Sequence, residues 1–94
     1  MNTANPQLEG LYLAIAAMNR LLIQKGVASH DEIREALQAA EAVAISDNKA
    51  ASVSPSHQKA VAFPIRLLLL ANEADGKGVA ADFEALAKEV GRRT

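Results

Sequence analysis

Ninety-four residues suffice for one hydrophobic core and are too few for two ordinary ones, so the chain reads as a single helical domain over residues 1–94. Twenty Ala and eleven Leu carry the apolar half of the composition, with only Tyr12, Phe63 and Phe83 as aromatics; strong helix formers dominate, which predicts an all-α fold of about four helices. The lack of Cys excludes disulfides, thiolate catalysis and Cys-ligated metal. The net charge of −1, with three Lys/Arg against five Asp/Glu over residues 1–45 and seven against six over residues 46–94, supplies no basic face for nucleic acid.

Asn5-Pro6 is a start signal, because Asn can cap orphan N–H groups and Pro loses no hydrogen bond at the first helical position. The first helix is expected to run to Lys25. Leu8, Leu11, Tyr12, Ile15, Met18, Leu22 and Ile23 fall in one arc at 100° per residue, and Gly26 supplies the stop. The second begins at Ser29-His30-Asp31-Glu32, where Ser and Glu three residues apart match a capping box. Its inward face is Ile33, Ala36, Leu37, Ala40, Val43 and Ala44, and the short Gly26–Ala28 link predicts an antiparallel hairpin with the first helix.

Ser46 to Ser56 is a polar connection, although Lys49-Ala50-Ala51 could prolong the helix before it. The third helix should start near Ser54-Pro55 or Ser56 and end before Gly76. Pro64 lies inside it and predicts a kink, with a break at Phe63 as the alternative. This helix is apolar on two faces, with Val61, Ile65 and Leu68 on one side and Phe63, Leu67 and Leu70 on the other. It is therefore either central in the fold or shared with another chain. After Asp75-Gly76-Lys77-Gly78, a fourth helix carries the stripe Val79, Phe83, Leu86, Ala87 and Val90, with Gly91 as a stop. No internal repeat stands out.

Candidate chemistry is sparse. His30 and His57 lack a second His at helical spacing and any HExxH pattern, so capping or solvated roles are expected rather than metal binding or general base catalysis. Ser29, Ser54 and Ser56 read as caps, and no nucleophile has a recognisable activating base. The glycines at 76 and 78 follow no strand and match neither phosphate-loop pattern. The helix–Gly26–helix unit has the outline of a DNA-reading hairpin, but Asp31, Glu32, Glu35 and Glu41 make its second helix acidic. Asn19 and Asn72 interrupt apolar faces and could set helix register or lie at helix ends.

Residues 21–27 (LLIQKGV), followed by Asp31-Glu32-Ile33 and Ala36-Leu37, form a pattern similar to a short helical hairpin near the start of nitrile hydratase α-type subunits. The metal-binding cysteine cluster of that family cannot exist in a chain without Cys, so the resemblance implies no activity.

These readings favour a helical protein–protein interaction module, homodimeric across the third helix, with Phe63, Leu67 and Leu70 as its buried anchors. Burial of the three within the monomer is the alternative. No catalytic residue, metal or cofactor is expected, nor a nucleic-acid or membrane partner. No apolar run approaches the ~20 residues of a membrane span, and no basic region precedes a signal-like core, so a cytoplasmic location is expected. The runner-up is a binder of a small apolar ligand in a cavity between the first and third helices, with Tyr12, Met18 and Pro64 lining or opening it.

Overall fold

A computed structural model of the chain describes residues 6–46, 54–79 and 82–93. They form four helices, α1 (Pro6–Gln24), α2 (His30–Ser46), α3 (Pro55–Gly76) and α4 (Phe83–Arg93), with no strand among the described residues. The fold is an all-α bundle, as composition and periodicity imply. The Asn5 cap, and the choice between coil and helix at Lys49-Ala50-Ala51, lie outside the described residues.

Side-chain caps set the starts of α2, α3 and α4. At α2 the Ser29 N–H donates to Glu32 Oε1 at 2.8 Å and the Glu32 N–H donates to Ser29 Oγ at 3.0 Å, a reciprocal capping box. Ser54 accepts the His57 N–H at 3.1 Å, with Pro55 in the first turn of α3, and Asp82 accepts the Ala85 N–H at 2.8 Å before α4. The C-terminal ends of α1 and α3 close by a shared backbone arrangement. Gly26 at φ 72° lets the Val27 N–H reach Leu22 O at 2.9 Å and the Gly26 N–H reach Ile23 O at 3.0 Å. Gly78 at φ 70° repeats this, with Val79 N–H to Ala74 O at 2.9 Å and Gly78 N–H to Asp75 O at 3.1 Å. Both are Schellman caps, which require a residue at ease with positive φ. The segment Lys-Gly-Val-Ala occurs at 25–28 and again at 77–80.

Helix α3 is the hub against which α1, α2 and α4 all pack. Leu67 and Ala62 of α3 and Ala87 of α4 have no exposed surface, and Leu68, Phe83, Leu86, Val90 and Tyr12 complete the buried set with Ile33. Tyr12 and Phe83 meet edge to face with ring centroids 5.5 Å apart. Polar bridges run along the α2–α3 pair in opposite sequence order. Asn72 Nδ2 donates to His30 O (2.9 Å), Arg66 Nε to Glu41 Oε2 (2.7 Å), and Gln58 Nε2 to Ile45 O (2.6 Å), so the two helices are antiparallel.

Several expectations need correction. The antiparallel hairpin of α1 and α2 does not form as a packed pair, because each helix lies chiefly on α3. Helix α3 continues through Pro64, so the alternative of a break at Phe63 is not realised. Val79 is exposed and precedes α4, whose start is set by the Asp82 cap. Gly91 does not stop α4, which continues to Arg93 while Glu89 reaches across that glycine to both Arg92 and Arg93. Those guanidiniums, Arg92 first, pull the Glu89 carboxyl from 4.5 to about 2.

Candidate functional site

Helix α1 is apolar almost throughout, its only charged residues being Glu9 and Arg20. Burial divides its apolar arc lengthwise. Tyr12, Ile15 and Ala16 pack into the core, whereas Leu11, Met18 and Leu22 stand in solvent with 59%, 64% and 38% of their surface exposed. Glu9 and Arg20 lie on the other flank, along the cleft toward α3, so the exposed stripe carries no charge. Below it, burial raises the pKa of Tyr12 above its ordinary value, as expected for a phenol drawn into the core.

The three anchors expected on α3 are placed differently. Leu67, with no exposed surface, is the largest fully buried side chain and cannot touch a partner. This corrects its assignment to an interface: α1, α2 and α4 together surround α3, so the stripe meets this chain's own helices. Phe63 and Leu70 are half-buried against the same core, and Leu70 also lines a groove of about 590 Å³ between α2, α3 and the end of α4. Sequence reasoning missed the exposed side of α1 because periodicity groups residues on a face without saying what covers it.

A polar clasp joins α1, α2 and α3 at one end. Asp75 accepts from Arg20 Nη2 at 2.5 Å through one carboxylate oxygen and from His30 Nε2 at 2.9 Å through the other. The His30 hydrogen bond, followed by that of Arg20 and the two positive neighbours, holds the Asp75 carboxyl below its ordinary value against a desolvation cost. The His30 ring also covers Gly76, where an added Cβ would lie 3.5 Å away. His30 is thus a structural tie as well as an opening residue of α2. His57 is exposed and its backbone N–H is taken by Ser54. Among the described residues no group of three or more His, Asp or Glu could hold a metal ion.

The glycines at 76 and 78 offer no anion cradle. The N–H groups of Lys77, Gly78 and Val79 all donate to α3 carbonyls. An open cleft of about 740 Å³ does lie between α1 and α3, lined by Tyr12, Ala16, Leu68 and Ala71 with Asn19 and Asn72 on its walls. Met18 faces away from it and Pro64 does not line it.

No protein-family model matches the chain, and no curated protein or solved structure is detectably similar to it. The local likeness of residues 21–37 to nitrile hydratase α-type subunits therefore extends to no family. Among the described residues, no helix is long and apolar enough to cross a membrane.

Proposed function

We propose that this chain is a helical protein–protein interaction module, homodimeric and without catalytic chemistry of its own, with its contact surface on α1. The uncharged stripe of Leu11, Met18 and Leu22 carries this reading, since contiguous exposed apolar surface on a small protein marks an interaction site. Full burial of such side chains is worth about 1.5–3 kcal/mol each, so their exposed fractions leave about 2–5 kcal/mol unused in each copy. Across a symmetric pair that is about 5–10 kcal/mol, comparable with an association cost of about 4–15 kcal/mol. The expected dimer is reversible and concentration-dependent. A cytoplasmic location fits a chain without Cys and remains part of the proposal.

Light scattering after gel filtration tests this from micromolar to millimolar chain. The molar mass should rise from the 9.9 kDa of one chain toward twice that value. Met18→Glu should stay monomeric with an unchanged melting temperature at low concentration, because Met18 is largely exposed. A wild-type chain that remains monomeric at millimolar concentration refutes the reading.

The cleft between α1 and α3 favours a second reading, a small-ligand binder. Its Tyr12, Ala16 and Leu68 surface could receive an apolar group while Asn19 and Asn72 orient a polar one. A ligand at a hundred times its dissociation constant would raise stability by about 2.7 kcal/mol, which a thermal-shift screen detects.

A further inference from the structure

The groove between α2, α3 and the end of α4 differs from the α1–α3 cleft in the sign of its charge. Lys59, Arg66 and Arg93 line the groove against one carboxylate, Glu41, whereas Glu9, Asp75 and Asp82 line the cleft against one cation, Arg20. Arg92 and Glu89, ion-paired beside Arg93, cancel each other and leave the positive excess of the groove as it is. The rest of its lining is largely apolar. Leu69 and Leu70 are half-buried there, and Ile45 keeps 41% of its surface exposed in the same groove. A volume of about 590 Å³ lies within the ~300–1,000 Å³ of small-molecule sites, which combine apolar walls with a few fixed polar groups. We propose that this groove binds a small organic anion with an apolar body, a medium-chain carboxylate, its head group on Arg66 and its chain along Ile45, Leu69 and Leu70.

Arg66 decides where the head group lies. Its side chain is only 24% exposed, and its Nε–H donates to Glu41 Oε2 at 2.7 Å, which holds the guanidinium in one orientation. Its Nη–H donors take no partner among the described residues, and they present the fork that receives both oxygens of a carboxylate. Lys59 stands two turns earlier on the same face of α3, while Leu69 and Leu70 follow Arg66 at i+3 and i+4. One face of α3 therefore carries both the donors and the apolar track. The walls are set in advance by two ties between α2 and α3, Arg66 to Glu41 and Gln58 Nε2 to Ile45 O at 2.6 Å, so little ordering is left for binding to bring about. The same charges select against other occupants, since the groove repels a cation and the acid-lined cleft repels the anion. None of the exposed α1 stripe lines the groove, so the site stands whether or not α1 meets a partner.

Decanoate, decanol and decylammonium, each below its micelle-forming concentration, are titrated near neutral pH into isotope-labelled chain and followed by amide and Arg Nε–H NMR signals. Decanoate should give one saturable set of shifts at Ile45, Lys59, Leu69, Leu70 and the Arg66 Nε–H. It should bind about tenfold or more tightly than the other two probes, the share of one charged hydrogen-bonded contact. Arg66→Gln should remove about that factor for decanoate and leave decanol unchanged. Because this change also strips Glu41 of its partner, two further variants repeat the test in chains whose circular dichroism and melting match the wild type. The double change Arg66→Gln with Glu41→Gln keeps a neutral amide pair and should weaken decanoate as strongly, and Lys59→Gln at an exposed position should weaken it about twofold to fivefold. Equal affinity for the three probes, or decanoate binding undiminished in these variants, would overturn the proposal. So would shifts centred on Asn19 and Asn72 of the α1–α3 cleft, or no saturable shift at millimolar decanoate.

Discussion

Leu67→Ala tests whether the centre of α3 is core or contact surface. Leu67 has no exposed surface and packs in the cluster that includes Tyr12, Phe83 and Leu86. Three carbon atoms are lost, worth about 2.4 kcal/mol at about 0.8 kcal/mol each, and the partly relaxed cavity raises the cost to about 3–5 kcal/mol. A domain of 94 residues has about 5–14 kcal/mol in all, so the variant should lose about a fifth or more of its stability and about 12–40 °C of melting temperature. Urea unfolding followed by far-UV circular dichroism, with chain held at low micromolar concentration to keep association out of the transition, measures this directly. A loss below about 1 kcal/mol with an unchanged urea slope would refute the burial of Leu67 and return it to the candidate interface residues.

Gly26→Ala should cost about 1 kcal/mol while Gly10→Ala gains about 0.5–1 kcal/mol, because a Cβ meets nothing within 4 Å at either site and only Gly26 has positive φ. Equal effects in thermal unfolding would refute the cap geometry. Asp75 has a folded pKa below its ordinary 3.8, so its clasp contributes stability in full above that value and loses it as pH falls through the lower folded value. Asp75→Asn should therefore be less stable near neutral pH and should flatten the decline in stability below about pH 4. Glu89 would sustain the rest of that acid limb, and an unaltered limb in the variant would count against the clasp. Ser29→Ala removes the acceptor for the Glu32 N–H and should cost about 0.5–2 kcal/mol in urea unfolding, whereas a neutral result would mean the box adds nothing.

The helices, and the starts of α2 and α3, were legible because their determinants are local. Ser29 with Glu32, Ser54 with Pro55, and Gly26 at positive φ act within a few residues of one another. The central place of α3 was also foreshadowed by its two apolar faces, though pattern alone could not say whether Leu67 met this chain or another. Long-range matters were not legible. Nothing near His30 announces Asp75, 45 residues away, and nothing in α1 announces that only one flank of its arc would be covered. That outcome depends on α2 choosing α3 over α1, and hence on Arg66 finding Glu41 and Asn72 finding His30 O, pairings that no short window contains. The second Lys-Gly-Val-Ala segment was visible in the sequence, but its meaning as a shared helix closure emerged only from the hydrogen bonds at Gly26 and Gly78.

The hub position of α3 has a consequence for how the chain is made. A helical hairpin at the start would let the first half close upon itself during synthesis, but α1 and α2 both reserve their apolar faces for a helix that begins at Pro55. Tyr12 must then wait for Phe83, and Arg20 for Asp75. On a ribosome the first two helices emerge with no mutual shelter, and core formation must await most of the remaining chain. Until then it is the core side of α1, Tyr12, Ile15 and Ala16, that stands uncovered beside the stripe that folding leaves exposed.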